Sequence, residues 1–485
     1  MTATTQRRLL VVLAVALCGA LAAVHYRETV ERGRRAGRLV VDPSVPTASR
    51  ECVACHAEDH PGVVEPWRRS AHAREGVACL DCHQAEPLDP DGYEHYGERI
   101  ATVVTPRDCA SCHPVEAEQY ARSRHAGAAE PRDSTEFALV REALSREGGP
   151  NRGFAADEPV VVSGCASCHG STVALVGTGG QKITVDDLRP DAEGRPSRRE
   201  LVGQIARNAD GLVRLSRDSW PNTGVGRRNL DGSLGSCGAC HGRHDFSVHR
   251  ARQPASCGVC HRGDDQPQLE IFLASKHAAA LGAAGPRATD GQLGRDPVAA
   301  PSCATCHLSG HSGNGWAPTH NPRERLSWRL RPVLASRRTA SSAEEGDAGV
   351  AVVDTWQDKR ARMREVCLHC HGAATFDGHY QRLDDLVAFV DAKLVAPGQR
   401  LVDQLREDRL LSPAAMDEPI EWSWFTLWHQ QARRTRMAAA MISPDDAAGR
   451  GLAPMARTLQ DLQRLAEDAR SRSGPAGGEE RRRVE

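Results

Sequence analysis

Cys237-Gly238-Ala239-Cys240-His241, Cys257-Gly258-Val259-Cys260-His261 and Cys303-Ala304-Thr305-Cys306-His307 repeat one pattern, two cysteines three positions apart with a histidine directly after the second. Toward the N-terminus the pattern recurs at Cys52, Cys55 and His56, at Cys79, Cys82 and His83, at Cys109, Cys112 and His113, and at Cys165, Cys168 and His169. It returns once more at Cys367, Cys370 and His371. These copies use every cysteine of the 17 except Cys18. Two thiols at this spacing can each add to one vinyl group of a single haem, and the adjoining histidine is placed to bind the iron from below. Zinc sites also use paired cysteines, but they do not require a histidine after every pair, and neither does a disulfide framework. The repeat therefore reads as eight covalently attached c-type haems with their iron.

The rest of the composition agrees. The chain has 485 residues, 40% hydrophobic but only 4% aromatic, so an ordinary aromatic-rich core is not expected. A formal charge of −1 argues against a nucleic-acid binder that works by neutralising phosphates. Of 62 basic residues only Lys182, Lys276, Lys359 and Lys393 are lysines. Arginine pairs bidentately with carboxylates and keeps its charge when buried, so some of the arginines are expected on haem propionates. Genomic base composition is the other explanation of the bias.

Residues 1–40 read as leader and linker. Arg7 and Arg8 precede an apolar run from Leu9 to Val24, the length of a signal-peptide core and short for a membrane span. Ala20-Leu21-Ala22 suits cleavage; Tyr26-Arg27 and the arginines between 32 and 35 suit an uncleaved N-terminal membrane anchor. Either reading puts the body outside the cytoplasm, in the periplasm or another extracytoplasmic space, where haem is joined to cysteine. Residues 50–375 form the octahaem cytochrome domain, 376–470 a C-terminal helical region, and 471–485 a charged tail. The stretches 282–300 and 336–352 read as surface loops. Helical periodicity covers Leu383 to Leu394, Glu421 to Met441 and Leu459 to Ala469, and no sustained strand alternation is present. The expected fold is mainly α, with helices and irregular loops wrapped around the haems.

An iron that does chemistry needs an open position. The 21 histidines less the eight of the motifs leave enough to cap every iron. Their distribution is uneven: none lies between His169 and His241, and the nearest upstream of the fourth motif is His125. The fourth haem is therefore the candidate for an open iron.

The segments between the motifs carry a resemblance. Trp220 to Arg227, Cys237 to His244, Ala251 to Pro254, Leu269 to His277, Pro318 to Asn321 with Arg325 to Trp328, and Leu427 to Arg434 resemble the octahaem hydroxylamine oxidoreductase family, from about Cys52 to Asp446. The resemblance implies a helical multihaem fold, a homotrimer, and a catalytic fourth haem on His169. It implies seven bis-histidine haems, for which His72, His95, His125, His244, His277, His320 and His429 are the expected sixth ligands, with His60, His311 and His379 next.

Two departures bear on function. In the hydroxylamine-oxidising members a tyrosine crosslinks to the catalytic haem of a neighbouring subunit; this chain has Asp446 in that place and no tyrosine after Tyr380. Members without the crosslink look like reductases. The family's Asp-His pair after the sixth motif reads Asp265-Gln266 here. Asp265 can relay protons, whereas Gln266 can donate a hydrogen bond but cannot titrate. The expected function is reduction of a small nitrogen compound, nitrite or hydroxylamine, with electrons from a redox partner such as a cytochrome c or a quinone-linked membrane protein. Hydroxylamine oxidation without the crosslink and electron transfer alone are the alternatives. No motif ends in lysine, so the lysine-ligated haem of the cytochrome c nitrite reductases is absent.

Overall fold

The computed structural model describes Ala20 and residues 45–129, 165–188, 198–209, 211–219, 224–285, 287–289, 300–310, 318–327, 355–414 and 416–472. The leader apart from Ala20, the 336–352 loop, His311, Trp220, Trp328 and the tail beyond 472 lie outside these residues. Among the described residues no helix is long and apolar enough to cross a membrane.

The chain is mainly helical, as its periodicity predicts, and the described residues include two small two-stranded sheets. Contacts divide it into two compact units. One draws on Met1–Pro87, Gly92–Val104 and His241–Ser247; the other draws on Leu88–Asp91, Thr105–Cys240 and Val248–Glu485.

In the first unit, α1 (Arg50–Asp59) contains the first motif and α2 (Pro61–Arg69) follows it. The helix α3 (Leu80–His83) contains most of the second. Val45, Val53, Val64, Trp67 and Ala73 make its small apolar core. The hairpin of β1 (Tyr93–His95) and β2 (Glu98–Ile100) pairs antiparallel with His95 opposite Glu98.

The second unit begins with α4 (Pro106–Ala110) and α5 (Pro114–Ala121), and α6 (Cys165–His169) is the fourth motif. A β-rich patch follows, built on β3 (Leu175–Val176) and β4 (Lys182–Ile183), with Val173, Leu175, Ile183, Leu188, Leu201, Ile205 and Leu230 in its core. Next come α7 (Pro254–Gly258), α8 (Gln268–Leu273), α9 (Lys276–Ala284) and α10 (Cys303–His307). The C-terminal helices are α11 (Trp356–Leu368), α12 (Ala373–Val390), α13 (Ala396–Glu407), α14 (Pro419–Phe425), α15 (Arg433–Ala440) and α16 (Ala453–Arg472). Single π-helical turns at Asp391–Val395, Thr426–Ala432 and Asp446–Leu452 lie between them. The first two turns carry the backbone from one helix into the next without a break, and the third runs into α16 after an interruption at 441–443.

The motifs fold as single helical turns for a local reason. In the second, third, sixth and eighth, the histidine N–H donates to the carbonyl of the first cysteine, at 3.1, 2.8, 2.9 and 3.1 Å. That i to i+4 closure sets both cysteines and the histidine on one side of one turn. Side-chain caps start several of these turns: Thr105 and Asp108 form a capping box ahead of Cys109, and Ser302 and Thr305 form another ahead of Cys303.

Candidate functional site

Among the described residues the motif cysteines form no disulfide and are mostly half-buried, which suits thioether attachment. Sulfurs of different motifs lie within hydrogen-bonding reach: Cys52 with Cys79 in the first unit, and Cys109 with Cys237, Cys257 with Cys303, and Cys168 with Cys260 in the second. The motifs of each unit are therefore nested against one another. The Cys79 thiol is drawn down to about 6 by Cys52 and by Ser49, while burial pushes Cys306 up to about 12.

Histidine rings supply the test of fit for the iron. Two imidazoles facing one metal through bonds of about 2 Å have centroids roughly 6 Å apart. In the first unit His56 and His95 are 6.0 Å apart, and His83 and His244 are 6.4 Å apart and nearly parallel. In the second, His125 and His261 are 5.9 Å apart, and His277 and His371 are 6.1 Å apart. Burial lowers His125 to about 4 and lowers His244, His261, His277 and His320, which keeps these rings neutral as metal ligation requires. The Nδ1 atoms of His261 and His307 are buried with no hydrogen-bond partner among the described residues. The residues fit axial haem ligation.

The other expected ligands are placed differently. His320 feels the charge of His113 and of Glu116. His72 meets Phe246 edge-on at 5.3 Å. His60 sets its Nδ1 3.0 Å from Nδ1 of His56. His379 lies 5.4 Å from the Tyr380 ring. His429 stacks on Phe425 at 4.4 Å and faces the Asp265 carboxylate, its Nε2 3.8 Å from Oδ1.

Around the fourth motif the backbone is packed without room for side chains. His169 Nδ1 lies 3.1 Å from the Ala128 carbonyl; because a carbonyl only accepts, the proton sits on Nδ1 and Nε2 keeps its lone pair. Val225 and Gly226 donate to the carbonyls of Cys168 and His169, both at 3.0 Å. Gly170 has φ +91°, and a Cβ on Gly224 or Gly226 would collide with the backbone of Gly170 or of Ala128. These close approaches explain the glycines at 224 and 226 of the quoted segment. His125, the nearest upstream histidine, turns to His261.

Asp265 and Gln266 separate. Gln266 accepts from Gln268 Nε2 at 3.0 Å, and both glutamines lie against His261. Asp265 instead accepts from Gln430 Nε2 at 3.0 Å. Asp446 is 1% exposed and receives Arg434 through Nε at 2.9 Å and Nη2 at 2.5 Å, with Arg450 at 3.6 Å. Buried Arg325 donates to the Cys306 carbonyl at 2.8 Å and to that of Ser309, so it serves the backbone of the seventh motif. Gln430, Arg433 and Arg434 lie in the segment Leu427 to Arg434 that carries the resemblance, but no role was read for them from the sequence. The i to i+4 spacing of His429 and Arg433 was the signal that could have found one of them.

Comparisons with known proteins agree with this picture. A family model described as a seven-times multi-haem cytochrome CxxCH matches residues 230–419. The chain is 20% identical over 416 residues to a probable nitrite reductase-hydroxylamine oxidoreductase fusion protein of Kuenenia stuttgartiensis, covering 76% of this chain and 39% of that protein. It thus spans about two fifths of that relative's length. A hypothetical multiheme protein of known structure superposes with TM-score 0.69 at 24% identity, over 88% of this chain and 97% of the other. A reducing hydroxylamine oxidoreductase-like protein complex of Kuenenia stuttgartiensis gives TM-score 0.57 at 19% identity, over 88% and 86%. Fold and motifs define a multihaem c-type cytochrome. The chain is similar to a hydroxylamine oxidoreductase fusion protein in sequence and to a hydroxylamine oxidoreductase-like complex in fold, as the resemblance in its sequence implies.

Proposed function

We propose that the chain is an exported octahaem c-type cytochrome that reduces a small nitrogen compound, nitrite or hydroxylamine, at the fourth motif. Each motif would hold one haem through its two cysteines and its histidine. The bound haems supply an iron for substrate and electrons one at a time. The protein's residues do the rest. His169, fixed by the Ala128 carbonyl, offers Nε2 from one side of the fourth site. Asp265, with a side chain 59% exposed, takes a proton from water and hands it to a substrate oxygen. An exported homotrimer fed by a cytochrome c or a quinone-linked membrane protein completes the proposal.

Asp446 carries the direction of turnover. At the place of the crosslinking tyrosine stands a carboxylate committed to Arg434 inside its own chain, so the feature associated with oxidation is replaced by an internal ion pair. The printed descriptions of the relatives, a nitrite reductase fusion and a reducing complex, support the same direction. Gln266 favours a second reading, electron transfer alone, because it is engaged with Gln268 and His261.

Low-temperature electron paramagnetic resonance of the ferric protein, with and without nitrite, separates the two. The proposal expects one high-spin signal that nitrite alters, and turnover of nitrite or hydroxylamine with a reduced viologen dye. Eight low-spin irons indifferent to nitrite would leave only the electron-transfer reading.

A further inference from the structure

We infer that Arg325 raises the reduction potential of the haem held at the seventh motif, Cys303 to His307, and so makes that motif a place where an electron rests. The inference rests on each motif holding a haem. It stands whether the chain reduces a substrate or only carries electrons.

The geometry is local. Arg325 ends a short 3-10 helix, Pro322–Arg325, and is 4% exposed. That turn is fixed from both sides: the Asn321 side chain accepts from the Arg323 N–H at 3.2 Å, and Arg362 Nε of α11 donates to the Glu324 carbonyl at 3.0 Å. From there the guanidinium reaches the end of α10. Its Nη1 donates to the Cys306 carbonyl at 2.8 Å and its Nη2 to the Ser309 carbonyl. The two acceptors lie on either side of His307 in the chain, and the charge of Arg325 acts on the His307 ring. Arginine keeps its charge when buried. Besides Cys306, the groups whose charge acts on Arg325 are Glu324 and Arg362.

A comparison among the motif histidines points the same way. His83 Nδ1 lies 2.8 Å from the Ala101 carbonyl, and His169 Nδ1 lies 3.1 Å from that of Ala128. A carbonyl on the second ring nitrogen makes an axial imidazole more basic, which favours the ferric state. His307 Nδ1 is buried and meets no such acceptor among the described residues; the side chain that bears on this ring is a cation. The step concerned is a one-electron transfer from a neighbouring haem or the redox partner. The donor is oxidised by one electron, ferric iron becomes ferrous, and no bond forms or breaks. The site loses one positive charge in that step, so a fixed cation favours the reduced form, and more strongly in the low dielectric of a buried site. Neighbours are at hand: Cys303 lies within hydrogen-bonding reach of Cys257 of the sixth motif, and Cys367 and Cys370 of the eighth act on Cys306.

The test is a redox titration of the haem-loaded full chain, followed through its low-spin ferric resonances, with Arg325→Gln, Arg325→Met and Arg325→Lys. Intact mass first counts the haems in each. The two neutral variants should lower one midpoint by a roughly tenfold loss in the equilibrium constant for reduction, about 59 mV for one electron. Arg325→Lys keeps the charge without the planar fork and should leave that midpoint near its original value. An unmoved midpoint in the neutral variants would overturn the inference. So would an equal shift in all three variants, which would make the backbone hydrogen bonds the cause, or a shift shared evenly by every haem. Loss of one haem from both neutral variants would make Arg325 a clamp on the motif's backbone and overturn it also. Nitrite plays no part in the titration, so a chain without a nitrite-sensitive iron leaves this test standing.

Discussion

Between Leu383 and Ala469 eighteen buried apolar residues make one cluster, among them Leu405, Leu427, Met455 and Leu462 with no exposed surface. Between Cys237 and Ser309, in the same unit but for His241–Ser247, the described buried apolar residues are Ile271, Phe272, Ala288, Ala300 and Ala304. One stretch has a core of its own; the other is built mainly of cysteines, histidines and helix caps. The difference teaches where stability comes from in each. The helices after the last motif are held by burial of apolar area. The motif stretch has too little such area, and its order depends on covalent attachment and axial ligation. Sequence reasoning expected haem to stand in for much of the usual apolar core; the C-terminal helices nevertheless have an apolar core of their own, where Trp424, Phe425 and Trp428 gather several of the few aromatics.

The largest effect follows from withholding haem. Expressed in a host unable to attach it, the chain should lose amide-exchange protection throughout 50–125 and 237–310, while 383–469 keeps protected amides. Equal loss in both stretches would end the comparison. Next, Leu462→Ala should destabilise the haem-loaded protein by about 2 to 5 kcal/mol through loss of burial and the cavity left behind, read as a shift in denaturation midpoint followed by far-ultraviolet dichroism. The Soret band should hold until that transition. The smallest effect sharpens the contrast: Ser302→Ala removes the cap of α10, a loss that ordinarily costs a helix about 1 kcal/mol. With haem attached, the thioethers at Cys303 and Cys306 hold the same turn, and the change in midpoint should shrink below detection.

Much of the site was readable along the chain. Each motif is local, five residues closing one helical turn, so its chemistry needs no distant partner to be recognised. Four of the expected sixth ligands, His95, His125, His244 and His277, lie about 6 Å from a motif histidine. His429 was read by the same resemblance as a ligand, yet it faces Asp265. A sixth ligand arrives from anywhere in the chain, and spacing says nothing of which ring it will meet. Gln266 was read beside Asp265 because the two adjoin in sequence. Adjacent residues on a bend point in different directions, and here one meets Gln268 while the other meets Gln430.

By itself the sequence determined the covalent chemistry, the helical class and the absence of the crosslinking tyrosine, because these depend on residue identity and on contacts no longer than one helical turn. Tertiary structure decided the rest: which histidines face one another across an iron's width, that Asp446 is neutralised within its own chain by Arg434, and that the carboxylate after the sixth motif takes its hydrogen bond from Gln430, 165 residues away. Those outcomes are set by how buried charges and rings find partners once helices pack, and a buried carboxylate is retained only where the packing brings a cation or donor to it.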